Sequence, residues 1–371
     1  MIKQIKIGNI LESEAQTLVN TVNCIGVMGK GIAADFKKQF PDMFSDYKDR
    51  CDKRLLKPGE PYIYKRLVKP WIINFPTKDD WRSVSKIQDI KKGIDIILKS
   101  YKEWGVTSLA IPPLGCGNGQ LDWRDVGPLL YQKFQDIDIP VELYASFQSP
   151  KEQMTKEFLS SKELQNKTAI FKKEDQIFHP EWIVLIEVLD RIGKNPYHRP
   201  IGRTFFQKIG YIVTAQGVNT GLKYEESSYG PFAKDLKQAI AVLANNNLLI
   251  EKHNGQGFQY LPGSAYSVMR KKYKEILDKY EQVIEKTADL FMRMDTHQAE
   301  IVSTILYSSR KLKQDSAEVS EKEIFDHVME WKKRRRPPLD EKDVASAVRN
   351  LVMLHWLKAQ FSQDLPVQDI F

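Results

Sequence analysis

Two glycine loops and one lysine carry most of the chemistry that this chain of 371 residues offers. The stretch Asn20-Thr21-Val22-Asn23-Cys24-Ile25-Gly26-Val27-Met28-Gly29-Lys30-Gly31-Ile32-Ala33 begins as the end of a buried strand and then sets glycines at 26, 29 and 31. Glycine admits backbone conformations closed to other residues and lets main-chain N–H groups approach a ligand closely. Ile32, Ala33, Phe36 and Phe40 then fall at helical spacing, so the loop opens into a helix start. Unpaired N–H groups and the positive end of the helix dipole would face one place, which suits a phosphate-bearing ligand. Pro113-Leu114-Gly115-Cys116-Gly117-Asn118-Gly119-Gln120-Leu121 is a second glycine loop entering a helix, able to present N–H groups to the other side of a diphosphate. Between them in sequence, Lys78 follows Asn74-Phe75-Pro76-Thr77 at the end of a strand, where a side chain points into a cleft.

Several familiar chemistries are excluded. Gly29-Lys30 is followed by Gly31, so the Ser or Thr that a kinase-type phosphate loop needs on magnesium is missing. The glycine spacing also fails the dinucleotide fingerprint. Cys24, Cys51 and Cys116 form no C-x-x-C pair, no zinc spacing and, being odd in number, no disulfide framework. Cys24 and Cys116 each sit in a glycine loop and so are candidates for a catalytic thiol, with small buried cysteine as the commoner role. No spacing calls for a metal, and no cofactor is expected.

Positioning these loops requires an α/β domain over residues 1–150. Strand signals fall at Ile2–Ile7, Thr21–Val22, Tyr62–Arg66, Trp71–Phe75, Ser108–Pro112 and Val141–Ala145. A helical turn is read at Ala15–Leu18, and helices at Gly31–Asp49, Lys86–Trp104 and Trp123–Phe134. The alternation predicts a mixed or largely parallel sheet flanked by helices, with ligands collecting beyond the carboxyl ends of its strands.

Together, Lys6-Ile7-Gly8-Asn9-Ile10, Thr21 to Ala33, Asn74 to Lys78 and Pro113 to Trp123 resemble the macrodomain, an ADP-ribose-binding fold. Thr21 to Ala33 combined with Asn74 to Lys78 is similar to the DNA ADP-ribosyl glycohydrolase antitoxins, the DarG family. The likeness covers about 150 residues. It implies ADP-ribose contacts from Gly8, Asn9 and Ile10, which with Leu11 lie near the adenine, and from Asn20, Asn23, Gly26, Val27, Met28, Gly29, Gly31 and Ile32 in the opening stretch. It implies further contacts from Thr77 and from Pro113, Leu114, Gly115, Cys116, Gly117, Asn118 and Gly119, with Asn23 on the distal ribose. Lys78 is the implied catalytic residue, either as an unprotonated nucleophile toward the anomeric carbon or as a cation that stabilises the leaving base or the diphosphate.

One departure bears on mechanism. Relatives that act on protein-linked ADP-ribose pair their lysine with an aspartate in the second loop, where this chain has Gly119. Asp122, three residues on, suits a helix cap instead. The acid or base partner is then Asp79, Asp80, a water, or no group beyond lysine and substrate. Trp81 and Arg82 suit stacking and phosphate contact with a single strand, or plain packing and solvation.

Residues 151–173 read as a linker helix, and 174–371 as a mainly α-helical, winged-helix-like domain, divisible into 174–265 and 296–371. Helices are read at Glu181–Ile192, Phe232–Asn245, Tyr266–Met292, Ala299–Leu312, Glu321–Lys333 and Glu341–Leu357, with a hairpin from Leu248 to Leu261. A pattern at Lys234–Leu249 recurs at Lys342–Leu357 and raises the prospect of a duplicated helix-and-hairpin unit. The run Lys332-Lys333-Arg334-Arg335-Arg336 fits either phosphate contact or a solvated helix end. The net charge of +8 is spread along the chain and favours a polyanionic partner only weakly. With no run of apolar residues long enough for a membrane and no signal peptide, a cytoplasmic protein is expected.

By resemblance, the chain is expected to remove ADP-ribose from thymidine in single-stranded DNA and to bind and block a cognate DNA ADP-ribosyltransferase toxin through its C-terminal part. Two alternatives stand beside this: hydrolysis of protein-linked mono-ADP-ribose, and a non-catalytic ADP-ribose reader tethered to a DNA-binding winged helix.

Overall fold

A computed structural model describes residues 2–147, 149–161, 178–196, 198–253, 258–315 and 318–367. The chain divides into two compact units, 1–177 with 240–246, and 178–239 with 247–371. Most of the expected linker helix lies outside the described residues.

The first unit is built on a six-stranded sheet: β1 (Ile2–Lys6), β2 (Thr17–Val22), β3 (Tyr62–Tyr64), β4 (Trp71–Pro76), β5 (Leu109–Ile111) and β6 (Val141–Tyr144). Their spatial order is β1-β6-β5-β2-β4-β3. All neighbours are parallel except β3, which runs antiparallel to β4 at the edge. The helices are α1 (Gly31–Gln39), α2 (Pro41–Asp52), α3 (Ile87–Trp104) and α4 (Trp123–Phe134).

Alternation along the strands explains the layers. Leu18, Val22 and Ile72 point to the face that packs Phe36, Met43 and Tyr47 of α1 and α2. Val19, Ile73 and Phe75 point the other way, onto Ile90, Ile94 and Ile97 of α3 and Val126 and Leu130 of α4. Both faces are therefore covered, as a parallel sheet requires. Gly93 in α3 lets the helix sit on the Phe75 ring, which a β-carbon would meet inside 3.0 Å.

The structure corrects the sequence reading at two places here and adds one element. No helical turn forms at Ala15–Leu18: Thr17 and Leu18 are the first residues of β2, paired with both β4 and β5. Sheet pairing on two sides outweighs the local pattern. The helix expected over Gly31–Asp49 is two helices, because Pro41 starts α2 and Phe40 leaves the helical region at φ −130°. A short 3-10 turn, Ile10–Glu12, follows β1 and is capped by Asn9, whose side-chain oxygen accepts from the Leu11 N–H at 3.1 Å.

Among its described residues the second unit is mainly helical, with a two-stranded antiparallel hairpin, β7 (Leu249–His253) and β8 (Phe258–Pro262), that follows the helix Leu236–Asn245. The hairpin tip, 254–257, lies outside the described residues. Among the described residues, helix then hairpin thus occurs once. After the second copy of the pattern, in the helix Glu341–Met353, no strand pair follows among the described residues; Gln360 makes a lone bridge to Ser320. The long helix expected over Tyr266–Met292 breaks at Tyr273 and Tyr280 into three. The helix Arg203–Ala215 escaped the sequence reading; eight of its residues are buried, including Lys208, so it shows no polar stripe to mark its period.

The basic run is not a free face. Lys332 is buried and donates to Glu300 Oε1 at 3.0 Å and to the Ser228 carbonyl at 2.8 Å. Arg335 Nε also donates to Glu300, at 2.9 Å. Two of the five cations are internal struts, while Lys333, Arg334 and Arg336 are exposed. Lys208, nearby, donates to the Pro231 carbonyl, and burial together with the Lys332 charge lowers its pKa to about 7. Among the described residues, no helix is long and apolar enough to cross a membrane.

Candidate active site

Parallel order brings the carboxyl ends of β1, β6, β5, β2 and β4 to one edge of the sheet, and the segments singled out in sequence all follow those ends. Gly8–Ile10 follows β1, Pro113–Leu121 follows β5, Cys24–Gly31 follows β2, and Thr77 and Lys78 follow β4.

The β2 loop is shaped by Asn23. Its amide nitrogen donates to the Val27 carbonyl at 2.6 Å, and its oxygen accepts from the Ile25 N–H at 3.0 Å and the hydroxyl of buried Tyr47 at 3.0 Å. Asn23 therefore ties its own loop to itself and to α2. Gly26 and Gly31 both take positive φ, +81° and +60°, which favours glycine at each. At the entrance to α1, Lys30 makes no side-chain cap, so no side chain competes for the first N–H groups of that helix. Ile25 and Val27 are exposed and form an apolar lip, whereas Met28 is buried in the core.

The β5 loop needs glycine for a second reason, which is space. A β-carbon on residue 119 would stand inside 3.0 Å of Ser85 Oγ, Ser85 Cβ and the Gly115 carbonyl oxygen. The Ser85 N–H donates to the Gly119 carbonyl at 2.8 Å and holds the two together. Gly115 takes φ +75°. At Gly117 a β-carbon would meet nothing within 4 Å, so that backbone faces open space.

Three strand ends close on one point. Lys78 Nζ donates to the Asn118 carbonyl at 3.0 Å. The Cys24 N–H donates to the Asp79 carbonyl at 2.7 Å. A β-carbon on Gly31 would stand 3.5 Å from Asn118 Nδ2, so the two glycine loops face each other.

Other candidates take different places. Asn20 is fully buried in mid-strand; its amide donates to Asn74 Oδ1 at 2.9 Å, and Asn74 donates to the Tyr62 hydroxyl at 3.0 Å. Asn20 thus builds the sheet and does not line the cleft. Thr77 is turned inward, its hydroxyl toward the Val22 carbonyl. Asp80 is buried and accepts from Arg82 through both oxygens, at 3.0 and 2.9 Å, which makes it a counter-ion. Asp122 caps α4 through the Arg124 N–H at 2.8 Å; burial opposes its charge, yet the Arg124 hydrogen bonds hold its carboxyl below the ordinary value. Burial pushes the thiols of Cys24 and Cys116 well up, so neither is an activated nucleophile.

Phe147 was missed in the sequence. It is 78% exposed and lies just after β6, the neighbour of β1, which Gly8–Ile10 follows. A lone exposed aromatic directly after a closing strand is the signal that would have found it.

Residues 19–130 match the Macro domain family. The N-terminal unit is a macrodomain. The chain is 32% identical over 255 residues to the DNA ADP-ribosyl glycohydrolase of Thermus aquaticus, covering 68% of this chain and 64% of that protein. It is 38% identical over 172 residues to a DNA ADP-ribosyl transferase-DNA ADP-ribosyl glycohydrolase fusion protein of Thermosipho africanus, covering 41% and 44%. The solved macrodomain of Mycobacterium tuberculosis DarG is 41% identical, over 38% of this chain and 97% of that one, with a TM-score of 0.37. The chain spans less than two thirds of the length of these curated relatives. Among the described residues, the macrodomain brings no group of three or more His, Cys, Asp or Glu side chains together as metal ligands.

Proposed function

We propose that this chain is a hydrolase that removes ADP-ribose from thymidine in single-stranded DNA, with Lys78 as its catalytic residue. The observation that carries the reading is Lys78 Nζ, tied at 3.0 Å to the Asn118 carbonyl between the two facing glycine loops. The sequence similarity to DNA ADP-ribosyl glycohydrolases supports it. In this reading the N–H groups of the loops and of α1 hold the diphosphate, and Phe147 walls the adenine. The distal ribose then reaches Lys78.

Hydrolysis breaks the bond between the anomeric carbon and the thymine imide nitrogen. The electron pair leaves on that nitrogen, where two flanking carbonyls delocalise it, so little acid assistance is needed. Water supplies the hydroxyl to the anomeric carbon and the proton to the thymine. The Lys78 cation, oriented by Asn118, stabilises the negative charge that develops on the leaving base. A partner aspartate at 119 is not required for such a leaving group, in keeping with the closed space beside Ser85.

The winged-helix-like C-terminal unit is read as the part that binds a DNA ADP-ribosyltransferase toxin. The fusion of the two activities named in the Thermosipho africanus relative supports that pairing.

The test is release of free ADP-ribose from a single-stranded oligonucleotide carrying one ADP-ribosylated thymidine, by the parent and by Lys78→Ala. Loss of at least about 100-fold in the variant, with ADP-ribose binding kept, is expected from removing a transition-state interaction. Binding of ADP-ribose by both with release by neither would leave a reader instead of an enzyme.

A further inference from the structure

Three residues beyond Lys78, Trp81 is 45% exposed, which is unusual for so large an apolar ring on a turn that is otherwise tightly fixed. The Asp79 carbonyl accepts from the Cys24 N–H at 2.7 Å. The Asp80 carboxylate, itself buried, accepts from the Arg82 N–H at 2.8 Å and from the guanidinium at 3.0 and 2.9 Å. The Ser83 N–H donates back to the Asp80 carbonyl at 3.0 Å. Arg82 Cζ lies 5.5 Å from the centre of the Trp81 ring. The guanidinium's charge is met by Asp80, so Arg82 serves as a strut for the indole and not chiefly as a phosphate clamp.

We infer that Trp81 is the platform on which the base next to the modified thymidine stacks, and that Asp80 and Arg82 position it. The inference rests on the hydrolase reading above and names what makes the substrate a strand. An indole face takes any base, and only an unpaired strand has bases to offer it. Reach fits as well: three residues span at most about 11 Å, a few steps of a strand whose stacked bases lie about 3.4 Å apart. A preset turn loses little freedom on binding, which keeps the stacking energy available for affinity.

The test compares three substrates. These are the ADP-ribosylated oligonucleotide, the same oligonucleotide with abasic sites flanking the modified thymidine, and ADP-ribosylated thymidine alone. Trp81→Ala is expected to raise KM on the intact oligonucleotide about 10- to 100-fold, the worth of one stacked base, with kcat kept. Thymidine alone should be cleaved equally by parent and variant. The abasic oligonucleotide should cost the parent the same factor and cost Trp81→Ala nothing further. Trp81→Phe should restore most of the loss, and Asp80→Asn, with ADP-ribose affinity intact, should show part of it. Equal KM for parent and Trp81→Ala on the intact oligonucleotide overturns the inference, as does an equal loss on thymidine alone. Cleavage of none of the substrates by the parent would instead be a failure of the hydrolase reading.

Discussion

Ser85 and Gly119 occupy one space: the Ser85 hydroxyl stands where a β-carbon on residue 119 would have to be. Installing the aspartate that other macrodomains carry in this loop should therefore not create a lysine–aspartate pair. Gly119→Asp is expected to cost about 1–3 kcal/mol of stability through overpacking, with activity falling and not rising. Gly117→Ala is the control, since its β-carbon meets nothing; its melting temperature should hold while ADP-ribose affinity drops. Thermal melts with ADP-ribose titration check both.

Lys78 donates to the Asn118 carbonyl, and in the proposed reading it acts as a cation on the leaving base and not as an attacking lone pair. Borohydride added during turnover should then trap no protein-linked ADP-ribose. A trapped adduct at Lys78 by mass spectrometry would move the residue to the nucleophile's role.

Asn20, Asn74 and Tyr62 form a buried polar row across three neighbouring strands. Asn74→Ala leaves the buried Asn20 amide without its acceptor, at a cost of about 1–3 kcal/mol. Asn20→Ala should lower stability while leaving ADP-ribose affinity unchanged. A large affinity loss, measured by calorimetry, would return Asn20 to the binding site.

Lys332 belongs to the interior of the C-terminal unit, with Glu300 and Arg335. Lys332→Ala should destabilise that unit by about 3–5 kcal/mol, the cost of leaving a buried carboxylate short of a partner. Its effect on the salt dependence of any DNA binding should be nil, whereas exposed Lys333 and Arg334 are free to alter it. Urea unfolding and binding at several salt concentrations separate the two.

Glu187 gives a pH signature. Burial alone would raise its pKa, but hydrogen bonds from Arg270, Tyr266 and Arg191 hold it at about 2, below the unfolded value of 4.5. The unfolded chain therefore takes up a proton first as the pH falls. The stabilisation is complete above about pH 4.5 and is lost progressively down to about pH 2, on the order of 3 kcal/mol. Glu187→Gln should flatten that acid limb in unfolding followed by circular dichroism.

The parts of this macrodomain that were legible in sequence are those set by local chemistry. Glycines at 26, 31 and 115 announced their loops because side chains fit poorly there, and Asp122 marked the start of α4. Trp123–Phe134 was bounded correctly for that reason. What escaped depended on neighbours distant in sequence. Thr17 and Leu18 look helical until β4 and β5 flank them. Asn20 reads as a ligand residue until strand parity turns it toward Asn74 on β4. Phe147 gains meaning only from the adjacency of β6 and β1, which no local pattern discloses.

The strand order has a metric consequence. From β4, which Lys78 follows, to β6, which Phe147 follows, there are three strand intervals, or about 14 Å at about 4.8 Å each. The sheet thus acts as a ruler laid crosswise under the cleft. In the proposed reading it graduates ADP-ribose into reacting end, charged middle and aromatic end, with two rows of backbone, β2 and β5, beneath the charge. Changing the reach of this site would mean adding or deleting a strand, so the length of ligand it accepts is as fixed as the topology itself.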